Sequence, residues 1–187
     1  GTAQYHINAD IAYAIKKYVE FTGDRAFLTD YGAEILFETA RLWMELGEFN
    51  PRKGNKFCLN VVTGPDEYTA LVDNNCYTNL MAREHLNFAA GTARWLREKA
   101  PASYQSLCAK VGLVDEEITL WQQAADQMYI PYDPDLEIYA QDDTFLDKPV
   151  WDLEATPPEK FPLLLHYHPL LIYRAQVCKQ PDVVLAL

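Results

Sequence analysis

The stretch Val61-Val62-Thr63-Gly64-Pro65-Asp66-Glu67-Tyr68-Thr69-Ala70-Leu71-Val72-Asp73-Asn74-Asn75-Cys76-Tyr77-Thr78-Asn79 is where the chain changes character. Cys58 to Thr63 is rich in β-branched residues and reads as a short strand. Gly64-Pro65 then forces a turn, because the pair disfavours both a helix and a central strand. A polar loop follows to Asn75, and helical periodicity resumes from Tyr77 to about Ala100 through Leu80, Met81, Leu86, Phe88, Ala89, Ala93 and Trp95. Just upstream, residues 49–57 carry hairpin chemistry with Lys53-Gly54-Asn55 at the tip. The stretch is thus a short β excursion and a loop set between helices.

Working outward, Tyr5, Ile7, Ile11, Ala12, Ile15, Tyr18 and Val19 recur at three- and four-residue steps, which predicts a helix over 3–22 broken by Gly23-Asp24. Asp30 is the expected N-cap of a second helix through Ile35, Leu36, Phe37, Ala40, Trp43 and Leu46, closed by Gly47. Pro101 opens a short helix to Val111, and Asp115 caps another carrying Ile118, Leu120, Trp121 and Ala125. Residues 130–158, with five prolines, read as irregular, and a connection of that length is more often functional than a linker. Leu163 to Leu187 reads as helical, split at Pro169 and near Pro181. The class is all-α with one short β-hairpin.

The 187 residues are enough for one sizeable core. Sixteen Lys and Arg against 27 Asp and Glu give a net charge of −11, which argues against a nucleic-acid partner. No membrane span is expected: the most apolar stretch, 161–173, is broken by Pro162, His166, His168 and Pro169, and a span needs about 20 apolar residues. Cys58, Cys76, Cys108 and Cys178 show no CxxC spacing, so reduced thiols and, weakly, a cytoplasmic origin are the reading. The sequence has no initiator Met and ends in an apolar run without a stop signal, so the expectation is a piece of a longer protein.

Asp66, Glu67, Tyr68, Asp73, Asn74, Asn75, Tyr77 and Asn79 crowd the quoted stretch. Carboxylates, amides and tyrosines suit sugar hydroxyls, offering directional donors and acceptors and a flat face for the ring. A carboxyl at the strand-to-loop corner beside Tyr68 is a candidate general acid with a raised pKa. The residue types fit equally a solvated acidic loop with an Asx turn, so the segment alone leaves both readings open.

The string resembles the catalytic segment of glycoside hydrolase family 65, the inverting α-glucoside phosphorylases acting on maltose, trehalose and kojibiose, with its G-P-D-E-Y followed by D-N-N-x-Y-T-N. His6-Ile7-Asn8-Ala9-Asp10-Ile11-Ala12 is similar to the family's H-I-N-A-D-I-A, and Lys179-Gln180-Pro181-Asp182-Val183-Val184 to its K-Q-A-D-V-V. The resemblance implies part of an (α/α)6 barrel, residues 1–187 being a piece of the catalytic domain without the N-terminal β-sandwich and the C-terminal parts. It implies Glu67 as the general acid and Lys179 and Gln180 as the substrate-binding pair. Inorganic phosphate is then the attacking co-substrate, a disaccharide the partner, and neither metal nor other cofactor is needed. Asp66 and Glu67 are adjacent, so they are not an inverting hydrolase pair roughly 6.5–9.5 Å apart; Glu137, Asp142 or Asp143 are the candidates for a second carboxylate. The alternatives are an acid-trehalase type of hydrolase using water and a non-catalytic helical carbohydrate-binding module.

Gln141-Asp142-Asp143-Thr144-Phe145 departs from the family's Gly-containing loop and leaves the acceptor subsite unassigned. Half a helical barrel leaves apolar faces unpaired, so self-association, as a dimer, and inactivity of the isolated piece are expected. His166 and His168 read as packed structural residues and Glu84-His85 as a surface pair. Trp43, Trp95 and Trp121 read as core, and Trp151 as either core or sugar platform.

Overall fold

The computed structural model describes residues 3–187. Helix α1 (His6–Thr22) buries Ala9, Ala12, Ile15 and Val19 on one face and ends at Gly23, whose φ of 70° closes the helix. The next helix starts earlier than the periodicity predicts. Asp24, not Asp30, is the cap: its Oδ1 accepts the Phe27 N–H at 2.9 Å, opening α2 (Arg25–Phe27). The helix then widens into a π segment over Leu28–Gly32, which contains Asp30, and continues as α3 (Ala33–Leu46).

Strands β1 (Gly47–Asn50) and β2 (Lys56–Leu59) form the expected antiparallel hairpin, Gly47 opposite Leu59, with Gly54 and Asn55 at positive φ at the tip. A Cβ on Gly47 would run into the Phe57 ring, so this position admits no side chain. β2 ends at Leu59 rather than Thr63, because the backbone turns at Val61 (φ 57°) and its N–H goes to Asp73 Oδ1 at 2.9 Å.

Helix α4 (Cys76–Lys99) is the centre of the molecule, with α1, α3 and the later α6 packed on it. Asn75 caps it by accepting the Thr78 N–H at 2.9 Å. Its buried Ala82, Ala89, Ala90 and Ala93 present no bulk, so the neighbouring helices come close. Helices α5 (Pro101–Val111) and α6 (Asp115–Asp126) follow at the expected places, but Asp115 is the first residue of α6 rather than its cap, which is Val114, whose N–H donates to Glu117 Oε2 at 3.1 Å. Arg41 on α3 meets Glu117 at 2.6 Å. Trp43 and Trp121 lie fully inside the core, and Trp95 packs partly buried against it.

Beyond α6 the chain is irregular, as its prolines require, apart from a two-residue hairpin of β3 (Tyr132–Asp133) and β4 (Ile138–Tyr139). The helical reading of 163–187 is corrected. Only α7 (Pro169–Ile172) and α8 (Asp182–Ala186) are α-helical there, with a 3-10 turn at Leu163–Leu165. Pro162, Pro169 and Pro181 lack the N–H groups a longer helix needs. The segment instead packs Leu163, Ile172, Ala175 and Val177 around Tyr68, with Trp151 and Tyr167 at the edge. Trp151 is thereby a packing residue, its Nε1 donating to Thr156 Oγ1. His166 and His168 are exposed, contrary to the packed reading, because Leu165, Leu170 and Leu171 beside them also face outward while Leu163 alone turns fully into the small core. The described residues hold no cluster of metal ligands and no helix long and apolar enough to cross a membrane.

Candidate active site

Glu67 rides on a loop pinched at its base by a two-way backbone bridge between Val62 and Val72, at 2.9 and 2.8 Å. Three non-glycine residues around it, Val61, Leu71 and Asn74, sit at φ between 52° and 57°. For a β-branched residue such as Val61 that is a strained conformation, of the kind that persists only where surrounding contacts enforce it. The enforcing contacts come from below. Thr63 O meets His6 Nδ1 at 3.0 Å and Thr63 N–H donates to Ala3 O, so the opening motif lies directly under the loop. Tyr77 packs edge-on to His6 and donates its hydroxyl to Asp10 Oδ1 at 2.8 Å. Gly64 has no room for a Cβ, because the side chains of Asn75 and Asp182 pass against it.

Asp66 is fully buried and used on every side. Its Oδ1 accepts the N–H groups of Tyr68 (3.1 Å), Lys179 (2.9 Å) and Gln180 (3.1 Å), and its Oδ2 accepts Gln141 Nε2 at 2.7 Å. With Asp66 turned inward, Glu67 faces out, and its carboxylate meets Lys179 Nζ at 2.5 Å. The Glu67 N–H donates to Gln180 Oε1 at 3.3 Å. The three sequence-predicted site residues therefore stand together, although 112 positions separate Glu67 from Lys179.

The electrostatics correct one expectation. The Glu67 pKa is lowered, not raised, by its hydrogen bond and charge interaction with Lys179, whose own pKa rises in return. Tyr68 does not act on it, since the Tyr68 hydroxyl accepts the Leu163 N–H at 3.0 Å inside the small core. The carboxyl that burial pushes up is Asp182, to about 6, with Asp66 and Asp142 adding like-charge repulsion and Asn75 Nδ2, at 2.8 Å, opposing it.

The candidates for a second carboxylate are placed elsewhere. Asp142 is buried with Oδ1 on Thr144, Asp143 pairs with Lys53 at 2.9 Å, and Glu137 lies in the β3–β4 turn. None of them bonds to Glu67 among the described residues. The two acids of the departing loop are thus internal fastenings, and Gln141 beside them is a buried strut under Asp66.

His85 is also corrected. It is buried between α3 and α4, accepting Trp43 Nε1–H at Nδ1 (2.9 Å) and donating from Nε2 to Leu36 O (3.1 Å), and burial lowers its pKa to about 4. Of its pair, only Glu84 is at the surface, bonded to Lys16.

A concavity of about 460 Å³ opens between α1, α4 and α8, lined by Asp10, Lys16, Tyr77, Arg83, Glu84 and Leu187 among others, but not by Glu67. Its Asp10 is engaged by Tyr77 and its Glu84 by Lys16.

The model of the glycosyl hydrolase family 65 central catalytic domain matches residues 1–187. The chain belongs to glycosyl hydrolase family 65. It is 60% identical over 185 residues to the alpha,alpha-trehalose phosphorylase of Thermoanaerobacter brockii, covering 99% of this chain and 24% of that protein. It is 57% identical over 186 residues to the alpha,alpha-trehalose phosphorylase of Geobacillus stearothermophilus, covering 100% and 24%. Among solved structures, a putative kojibiose phosphorylase from human microbiome superposes with a TM-score of 0.82 at 29% identity, over 95% of this chain and 24% of that one. The chain spans about a quarter of the length of these family 65 relatives, and its paired helices form part of the (α/α)6 barrel.

Gln141 and Asp182 were not among the sequence-predicted site residues, and Asp66 and Asn75 were named only as members of the polar stretch, without a role. Asp66 left a faint signal, an acid directly after Gly-Pro, where a turn needs a side-chain acceptor. Gln141 left none, because its partner lies 75 positions away.

Proposed function

We propose that this chain supplies the proton donor and part of the sugar site of an inverting phosphorylase acting on α,α-trehalose. The observation that carries the reading is the convergence of Glu67 with Lys179 and Gln180 on one outward-facing corner. In the reaction, a phosphate oxygen bonds to the anomeric carbon as the glycosidic C–O bond breaks. Glu67 gives its proton to the departing oxygen, and the products are glucose and glucose 1-phosphate of inverted configuration. Trehalose is favoured as substrate because the 60% and 57% relatives carry that name, whereas the kojibiose phosphorylase structure shares 29%.

In the free site Glu67 is ionised and held by Lys179. A general acid must arrive protonated. A sugar hydroxyl that competes for the Lys179 ammonium weakens the interaction that lowers the carboxyl's pKa, which shifts Glu67 toward the protonated form that a general acid needs.

The remaining parts of the assignment belong to the longer protein. On this reading, residues 1–187 are a piece of its catalytic domain, and a β-sandwich, the rest of the barrel and the phosphate-binding residues lie elsewhere in it. It works in the cytoplasm as a dimer with phosphate as co-substrate and no cofactor. The test is to supply the full-length protein with trehalose, with and without phosphate. Glucose 1-phosphate formed only with phosphate supports the reading. Release of two glucoses without phosphate overturns it in favour of hydrolysis.

A further inference from the structure

We infer that Asp66 is the positioning residue of the site, a buried carboxylate that sets Glu67 and the Lys179-Gln180 segment in register. The inference rests on the reading of Glu67 as proton donor and goes beyond it in naming what holds the donor in place.

Three strands of chain meet at this side chain. The Glu67 loop reaches it through Tyr68 N–H, the returning C-terminal segment through the N–H groups of Lys179 and Gln180, and the 141–145 loop through Gln141 Nε2. No secondary structure joins them: Lys179 and Gln180 lie in non-helical backbone, and Glu67 lies in a loop. Lys179 and Gln180 bond to the carboxyl oxygen of one residue and to the backbone and side chain of the next. A shift of Asp66 is therefore transmitted to both ends of the Glu67–Lys179 pair.

The chemistry favours a carboxylate over any neutral group. One oxygen takes three backbone N–H groups and the other takes an amide N–H, a demand for acceptors on both atoms. Bonds to an ionised acceptor are shorter and about twice as strong as neutral ones. The support continues one layer down. Asn75 Nδ2 donates to Gln141 O at 3.3 Å and to Asp182 Oδ2 at 2.8 Å, so the strut beneath Asp66 is tied to the N-cap of α4.

Asp66→Asn keeps the shape but puts an NH2 where an acceptor is needed, opposite either the Gln141 amide or the backbone N–H groups. Adding Gln141→Glu returns an acceptor and one negative charge to the pair, with the hydrogen bond reversed. In the full-length protein, trehalose phosphorolysis by D66N should fall roughly 10–100-fold in kcat, the scale on which about 1 Å of misplacement acts. The D66N/Q141E double variant should recover to within about threefold of the parent. Hydrogen exchange of the peptide spanning 178–184 should speed up in D66N and slow again in the double variant, while that of 47–59 stays unchanged. The expected split is a kcat loss exceeding any rise in KM, because sugar contacts remain available but the proton donor is misaligned.

D66N turnover within threefold of the parent overturns the inference, as does a double variant no better than D66N. If D66N lowers the unfolding temperature, the double variant decides: recovered stability without recovered kcat means a scaffold role only. Glu67→Gln is assayed alongside. Undiminished turnover in E67Q fails the proton-donor reading itself, whereas a dead E67Q beside an unaffected D66N fails only the positioning role.

Discussion

Glu67 and Asp66 are neighbours in sequence with opposite environments, and the difference decides their chemistry. Asp66 is wholly enclosed and saturated with donors, whereas the Glu67 side chain is about half exposed with a lysine as its charged partner. Replacing Lys179 by Met removes the main cause of the lowered Glu67 pKa. The Glu67 carboxyl should then titrate at higher pH than in the parent, read by carbon NMR of the labelled side chain; an unchanged titration contradicts the pairing. Asp182 behaves in the opposite sense. Its folded-state pKa of about 6 exceeds the ordinary 3.8, so the folded protein holds the proton more tightly than the unfolded chain. Its contribution to stability is complete at low pH and is lost as pH rises through about 6. Asp182→Asn stays neutral, so its unfolding temperature should gain on the parent's between pH 5 and pH 7.5. A gap that does not change with pH contradicts the assignment.

At the scale of elements, His85 of α4 makes polar links to α3 inside an otherwise apolar interface. Trp43 Nε1 donates to His85 Nδ1, which fixes the neutral tautomer whose Nε2–H serves Leu36 O. Trp43→Phe leaves Nδ1 buried without a donor, at a cost of about 1–3 kcal/mol before any cavity is counted. Thermal unfolding should shift down by several degrees, and a midpoint unchanged from the parent would show that the link carries no stability. His85 also gives the interface an acid limit. Its folded pKa of about 4 lies below the ordinary 6.5, so this stability is present above pH 6.5 and is lost as pH falls toward 4.

The long helices were legible in sequence because their apolar positions repeat with the helical period, and α4, α5 and α6 came out close to their predicted bounds. The start of the second helix was misplaced because Asp24 and Asp30 are equally good caps in one dimension. Only the fold shows Asp24 accepting from both Phe27 N–H and the Tyr18 hydroxyl. The C-terminal stretch differs because its leucines suggest a helix, while its prolines break it into turns and two short helices that bring Lys179 and Gln180 to Asp66. Glu67, Lys179 and Gln180 were found through resemblance to a family, but Asp66 and Gln141 needed coordinates, since hydrogen bonds across 75 and 113 positions leave no local pattern.

Over the whole molecule, the opening motif, the 61–79 stretch and the closing motif lie in one layer. His6 supports Thr63, Asn75 holds Asp182, and Asp66 gathers Lys179 and Gln180. The net charge of −11 is partly stored here, in the buried Asp66, Asp142 and Asp182, rather than spread over the surface. An enzyme that admits phosphate needs positive charge at its mouth, and on the proposed reading the rest of the longer protein provides it. The most direct test of the account compares the full-length protein with its Glu67→Gln variant, on trehalose and on a glucosyl fluoride of the same anomeric configuration, with phosphate present. Fluoride departs without protonation, so a missing proton donor should matter for trehalose alone. The account predicts a fall of roughly 10²–10⁴-fold in kcat on trehalose with near-parental rates on the fluoride. Near-parental turnover of trehalose by Glu67→Gln would contradict it.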